Sequence, residues 1–204
     1  RKQGYLYPCR CSRRQLDGAT IYPGTCRRLY QDWGLKDARL PAWRLRVVEP
    51  FATAVGDVVL RRADGVIAYH LATSIDELAL GINEVVRGQD LVSVCAAQSA
   101  VIASLGMTSP RYGHVPLLCD SSGQKLSKRD HATGLSSLRD RGEKSAQVIG
   151  RLAASLGLVT PTTAISPEEL LEELRERQDK LMSLVVGADS SGNVRDHNRK
   201  KASN

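Results

Sequence analysis

Along the chain the spacing of apolar positions changes several times, and each change marks a predicted element. Trp43-Arg-Leu-Arg-Val-Val-Glu49 alternates apolar and polar residues, the period of a strand. Asp57-Val-Val-Leu-Arg-Arg62, then Ala-Asp-Gly65, then Val66-Ile-Ala-Tyr69 predicts two strands joined by a turn at Asp64-Gly65. Leu71–Leu80 reads as helical through its first part, Glu84–Arg87 as a short strand, and Leu91–Leu105 as a helix with Ala96, Val101 and Leu105 on its apolar face. This alternation of strand, loop and helix predicts a mostly parallel α/β core. A strand in the Tyr112–Cys119 region leads to the glycine turn Asp120-Ser-Ser-Gly123 and the basic run Gln124–Arg129. Glu143–Leu156 and Glu168–Val185 follow as helices. Ser166 is the N-cap of the second, Pro167 its first helical residue, and Glu168 and Glu169 its first-turn acids.

The two ends of the chain differ from this pattern. Residues 1–30 carry turn-forming Gly18, Pro23 and Gly24 among cysteines and arginines, so they predict a compact knuckle and not a long helix. Residues 187–204 are polar and predict a frayed tail. The expected segments are therefore a knuckle over 1–30, an α/β portion over 31–135, a helical segment over 136–186 and the tail.

Composition narrows the class of protein. The 204 residues have an ordinary globular balance, 42% hydrophobic and 25% charged, which excludes wholesale disorder and collagen-like repeats. The 29 Lys and Arg against 22 Asp and Glu give a formal charge of +7, which favours a polyanionic partner, a nucleic acid before others. No run of eighteen apolar residues is present, so no membrane span and no membrane partner is expected. The opening residues have no apolar stretch behind their basic ones, unlike a secretory signal. Five cysteines is an odd number, which fits a reducing, cytoplasmic setting.

Three groups of residues carry candidate chemistry. Cys9, Cys11 and Cys26 are soft ligands, and a structural Zn2+ needs a fourth. Tyr22 is the local oxygen candidate, while Cys119, His70, His114 and His131 reach the cluster only through the fold. Arg10, Arg13, Arg14, Arg27 and Arg28 surround this knuckle, either as a phosphate-binding patch or as a solvated face. Lys125-Leu-Ser-Lys128 follows a strand and a glycine turn, which suits Lys125, Ser127 and Lys128 to a polyphosphate, although a solvated basic loop has the same composition. Tyr69 and Arg87 each end a predicted strand and offer a hydroxyl and a guanidinium fork to a carboxylate. Asp76, Glu77 and Asp90 are suited to orient that arginine or bind an amino group, although an arginine near acids is more often a surface salt-bridge network, and His70 reads as a packing residue. Cys95 and Cys119 lie among apolar residues and read as buried thiols. Neither a Gly-x-x-x-x-Gly-Lys-Ser/Thr loop nor a Gly-x-Gly-x-x-Gly turn is present, which disfavours nucleotide hydrolases and dinucleotide enzymes.

Taken in order, Tyr7-Pro-Cys-Arg-Cys-Ser-Arg13, Tyr22-Pro-Gly-Thr-Cys-Arg27, Ala42-Trp-Arg-Leu-Arg46, Leu60–Ala72, Val86-Arg-Gly-Gln-Asp-Leu91, Pro110–Leu117 and Gly123-Gln-Lys-Leu-Ser-Lys128 resemble the glutamyl-Q tRNA(Asp) synthetases, truncated paralogues of glutamyl-tRNA synthetase. The likeness spans about the first 160 residues. It implies part of a class I synthetase Rossmann-type α/β catalytic domain with an inserted zinc knuckle and C-terminal helices. The implied activity is activation of glutamate with ATP and Mg2+ and its transfer to the queuosine base of tRNA(Asp), by a cytoplasmic monomer. By the same likeness Cys9, Cys11, Tyr22 and Cys26 hold structural Zn2+, Tyr69 and Arg87 hold glutamate, and Lys128 contacts ATP.

The family's opening strand and its Pro-Ser-Pro-Thr-Gly signature have no counterpart here, so the resemblance implies residues preceding Arg1. Glu77 stands where an Asp is usual, and Ala97 where an Arg is usual. A fragment of a glutamyl-tRNA synthetase, or a zinc- and tRNA-binding remnant without catalysis, are the alternative readings.

Overall fold

The computed structural model describes residues 4–12, 14–16, 18–19, 21–28, 40–120, 122–126, 134–176, 186–188 and 194–195. Ser127, Lys128, His131, Arg13 and the second half of the predicted helix over 168–185 lie outside the described residues. Two compact units divide the chain: Arg1–Val86 with Leu91–Gly113 and Gly187–Arg195, and Arg87–Asp90 with His114–Val186 and Asp196–Asn204.

The first unit is built on a three-stranded sheet of β1 (Leu6–Cys9), β2 (Ala42–Leu45) and β3 (Val58–Arg61), in that order. Both pairings are antiparallel, where the alternation of elements predicts parallel ones. The link between β2 and β3 holds only the single-turn helix α1 (Ala52–Val55), which turns the chain back instead of carrying it over the sheet as a parallel crossover would. Leu6 faces Leu45, Tyr7 faces Arg44 and Cys9 faces Ala42 across β1 and β2. Side chains alternate along a strand, so the buried Tyr7 and Cys9 share one face of β1.

The predicted hairpin after β3 is reduced to one bridge, Arg61 to Ile67, flanked by the bonds Arg62 N to Val66 O and Ala68 N to Leu60 O. Its second strand stops because Ala68 is an extended N-cap and Tyr69 already opens helix α2 (Tyr69–Ala79). After β4 (Glu84–Gly88), a 3-10 turn over Gln89–Val94 leads into α3 (Cys95–Ser104), so the predicted helix over 91–105 divides in two.

Helix α3 is buried from Cys95 to Ile102, and its Ala96, Ala97, Ser99 and Ala100 let neighbours approach closely. Ala97, Ala100 and Val101 meet Leu45, Val47, Phe51 and Val58 in the core of the first unit. Full burial of side chains such as Val101 and Ile102 contributes about 1.5–3 kcal/mol each.

Strands β4, β5 (Arg111–Val115), β6 (Val186–Ala188) and β7 (Val194–Arg195) make a second sheet in that order, with β6 and β7 antiparallel. These last two strands fall where polarity predicts a frayed tail. Val186 and Val194 supply strand preference that an average over composition conceals.

In the second unit, α4 (Leu135–Asp140), α5 (Ser145–Ser155) and α6 (Pro167–Arg175) follow one another, with Ala153, Leu158 and Ile165 buried. Ser166 caps α6 as expected: its Oγ accepts the Glu169 N–H at 3.2 Å, and the Glu169 carboxylate accepts the Ser166 N–H at 2.8 Å. The segment before α6 lies directly on α5, with Ile165 N bonded to Ala146 O at 3.1 Å. Gly150 permits that approach, since a Cβ there would lie 1.8 Å from the Thr163 carbonyl oxygen.

One buried polar group ties the first unit together. Asp57 lies immediately before β3 with 2% of its surface exposed. Its carboxylate accepts Arg27 Nε and Nη2, each at 2.5 Å, Val47 N at 3.0 Å and the Tyr7 hydroxyl. Burial pushes this carboxyl up, but the bonds from Arg27 and Tyr7 outweigh it and hold Asp57 below the usual carboxylate range.

Two outcomes are expected. Gly150→Ala should destabilise the second unit by about 1–3 kcal/mol in urea unfolding, because a backbone carbonyl blocks the added methyl. A depressed carboxylate stabilises the fold above its unfolded value of about 3.9, and that contribution fades as pH falls through the lower folded value. Asp57→Asn should therefore cost on the order of 3 kcal/mol at pH 7. Its difference from the unsubstituted chain, read by unfolding with metal removed, should close as pH drops below about 4.

Candidate functional site

The cysteine knuckle draws its groups from three places. Cys9 ends β1, Cys11 follows two residues later, and Tyr22 and Cys26 come from the turn-rich segment after Gly18. The three sulfur atoms lie within 4.8 Å of one another. Tyr22 Oη is 3.5 Å from Cys9 Sγ and 3.6 Å from Cys11 Sγ, and Cys11 Sγ is 3.5 Å from Cys26 Sγ. A tetrahedral zinc with its usual bond lengths has ligand edges of about 3.8 Å between sulfurs and about 3.5 Å from sulfur to oxygen. The cluster is close to that shape. Tyr22 Oη also accepts the Cys26 N–H at 2.8 Å, which joins the oxygen to the segment bearing the last sulfur.

The electrostatics agree with the geometry. Burial pushes the Cys11 thiol up to about 11, with Cys26 adding to the effect, and burial likewise pushes Tyr22 up. Cys9 is also buried, yet the Tyr22 hydroxyl and the Arg44 guanidinium hold it below its ordinary value. Several groups that become anionic on ligation thus crowd one buried spot. A divalent cation reverses that balance, so the donor set fits a zinc ion. Arg44, itself buried, lies over the Tyr22 ring with its guanidinium carbon 3.8 Å from the centroid.

Among the described residues the metal-suited cluster holds these three cysteines and no histidine. Cys119 is exposed, contrary to the buried reading, at an isolated bridge to Lys125; Cys95 is buried as expected. Arg27 does not serve a free basic patch, since Asp57 engages its guanidinium on two nitrogens.

Tyr69, half exposed, begins α2 and lines a cavity of about 840 Å³ with Cys9, Cys11, Arg44, Asp57 and Ser93. Behind it, Glu77 Oε2 accepts the Tyr112 hydroxyl at 2.9 Å, and Gln98 Nε2 donates to Thr73 Oγ1 at 2.7 Å and lies 3.5 Å from Glu77 Oε1. The longer acid at position 77 is thus used in packing, and Ala97 is 7% exposed within the core.

Arg87 belongs to the second unit, where its Nε donates to Nε2 of the fully buried His114 at 3.2 Å. In the same unit Lys125 forms an ion pair with Asp90. A short hairpin presents that lysine: Leu126 N bonds Leu118 O, Asp120 N bonds Gln124 O, and Asp120 Oδ1 accepts the N–H groups of Ser122 and Gln124. Residue-type reasoning passed over Asp57 as a site residue and read His114 only as a remote metal candidate. The alternation of Tyr112 and His114 about Gly113 is the signal for the latter, since it puts both on one face of β5, where both are buried.

Comparison with known proteins agrees with this reading of the fold. The model of the catalytic domain of class I tRNA synthetases (E and Q) matches residues 46–171. A protein of Synechococcus sp. (strain CC9605) named glutamyl-Q tRNA(Asp) synthetase is 56% identical over 177 residues, covering 87% of this chain and 60% of that protein. Its namesake in Prochlorococcus marinus (strain MIT 9313) is 50% identical over 192 residues, covering 91% of this chain and 63% of the relative. The chain thus spans about three-fifths of the length of these curated relatives. The crystal structure of glutamate-tRNA synthetase from Elizabethkingia anophelis has the same fold at 20% identity, with a TM-score of 0.59 over 82% of this chain and 45% of that one. No helix among the described residues is long and apolar enough to cross a membrane. With the catalytic-domain match covering more than half of its residues, the chain belongs to the class I tRNA synthetases (E and Q).

Proposed function

We propose that this chain is the larger part of a cytoplasmic, monomeric enzyme that activates glutamate with ATP and transfers it to the queuosine base of tRNA(Asp). The observation that carries this reading is the 56% identity, over most of the chain, to a relative with that name. The +7 charge is consistent with a tRNA partner.

In this reading Tyr69 and Arg87 bind the substrate glutamate. The Tyr69 hydroxyl supplies one hydrogen bond, and the Arg87 fork is steadied at Nε by a buried imidazole. Glutamate then attacks the α-phosphate of ATP through a carboxylate oxygen, and pyrophosphate leaves. Lys125, Ser127 and Lys128 stabilise the charge added at phosphorus, which requires Lys125 to exchange its partner Asp90 for phosphate. Mg2+ supplies further countercharge on the phosphates when bound. A hydroxyl of queuosine completes the transfer by attacking the adenylate carbonyl, losing its proton as the anhydride bond breaks and AMP leaves. Zinc on Cys9, Cys11, Tyr22 and Cys26 is structural, contributing folding energy where turn-rich chain offers little apolar core.

Two measurements test the reading. In the enzyme of which this chain is the larger part, glutamate-dependent ATP–pyrophosphate exchange should proceed without tRNA, and Arg87→Ala or Lys128→Ala should lower it by roughly 100-fold or more. Absence of exchange by that enzyme with and without tRNA would overturn the activation reading and favour a binding role. Elemental analysis of the purified chain should find about one zinc per molecule, and Cys26→Ala should lose most of it. Equal metal content in both would sink the zinc assignment.

A further inference from the structure

The dipeptide Gly56-Asp57 contributes no donor to the cysteine cluster, yet it touches every segment that does. Tyr7, held by the Asp57 carboxylate, lies one side-chain repeat before Cys9 on the same face of β1. Arg27, held by both oxygens of that carboxylate, directly follows Cys26. Gly56 bridges to Tyr22, and a Cβ on it would meet Ile21 Cγ2 at 2.9 Å and Tyr22 N and O at 3.0 Å. The Asp57 carbonyl accepts Arg44 Nη1 at 2.6 Å, and the same guanidinium lies over the Tyr22 ring.

Asp57 is not itself a hidden ligand. Its two oxygens already accept four bonds from Tyr7, Arg27 and Val47, about the capacity of a carboxylate. The carboxylate is also fully buried, so moving it would strand an unpaired charge.

We infer that Asp57 is a positioning residue for the metal centre, setting its zinc affinity by fixing the spacing between the β1 cysteine and the Tyr22–Cys26 segment. The inference rests on the reading that the cluster holds zinc. Ordering three separate pieces of chain costs conformational entropy, and a frame that holds them before the ion arrives removes that cost from binding. Partners outside the ligand set commonly alter metal affinity by about 10–100-fold.

The test is titration of Zn2+ into the reduced, metal-stripped chain against a chromophoric competing chelator. Asp57→Asn should weaken binding by about tenfold or more. Tyr7→Phe, which removes one hydroxyl and keeps the ring, should weaken it by a smaller factor of roughly three. Asp64→Asn makes the same charge change at an exposed turn and should leave affinity unaltered. Val101→Ala opens the core packed on Val47 and Val58 but removes none of the hydrogen bonds to Asp57; it should lower the melting temperature but not zinc affinity. Cobalt substitution adds a spectroscopic readout: the visible bands should shift in Asp57→Asn and not in Val101→Ala.

Equal zinc affinity in the unsubstituted chain, Asp57→Asn and Tyr7→Phe would overturn the inference while leaving the zinc site in place. Val101→Ala weakening zinc as much as Asp57→Asn would overturn it too, since the effect would then be general stability. If Asp57→Asn does not fold, Tyr7→Phe decides alone, and unchanged affinity there counts against the frame. Failure of the unsubstituted chain to bind zinc would overturn both the metal reading and this one.

Discussion

A carboxylate cut off from water is tolerable only when donors surround it, and this requirement fixes where three parts of the first unit lie relative to Asp57. Asp57 draws in β1 through Tyr7, the cysteine segment through Arg27 and the strand-following chain through Val47, while its carbonyl holds β2 through Arg44. Loss of one donor leaves charge stranded, so the arrangement resists partial disassembly. Apolar packing of Leu45, Val58 and Val101 brings the sheet against α3, but such contacts are non-directional and tolerate sliding. The hydrogen-bonded carboxylate does not. It confers registry on a part of the molecule whose turn-rich chain has few apolar residues of its own.

This arrangement changes the meaning of the charge around the knuckle. Counted in sequence, the arginines between residues 10 and 28 form one basic surface. In the fold, Arg27 is spent on Asp57 and, from β2, Arg44 is buried against Tyr22. An excess of seven positive charges still favours a polyanion, yet Arg27 and Arg44 are engaged by Asp57 and Tyr22.

Local elements were legible wherever the chain itself carries the determinant. Spacing alone located α2, β4 and α5, and Ser166 with Pro167 and Glu169 announced the start of α6 through contacts three residues apart. The cysteine cluster was legible for the same reason, since soft ligands of one type stand close together in sequence. Strand direction was not, because alternation is identical in parallel and antiparallel strands and only the length of the connection distinguishes them. Nor could a count of residue types reveal Asp57, whose partners are 50, 30 and 10 positions away. Val66 and Ile67 show a related failure: both are apolar and β-branched, yet each is half exposed, because the chain enters α2 before a second strand can lengthen.

The exposed Cys119 gives the protein an experimental convenience. Cys9, Cys26 and Cys95 are buried and Cys11 is partly covered within the cluster, so a maleimide dye under gentle conditions would meet one thiol well ahead of the rest. That thiol is bridged across its hairpin to Lys125. A fluorophore placed there sits opposite Lys125 and reports on its surroundings with no substitution between Gly123 and Leu126.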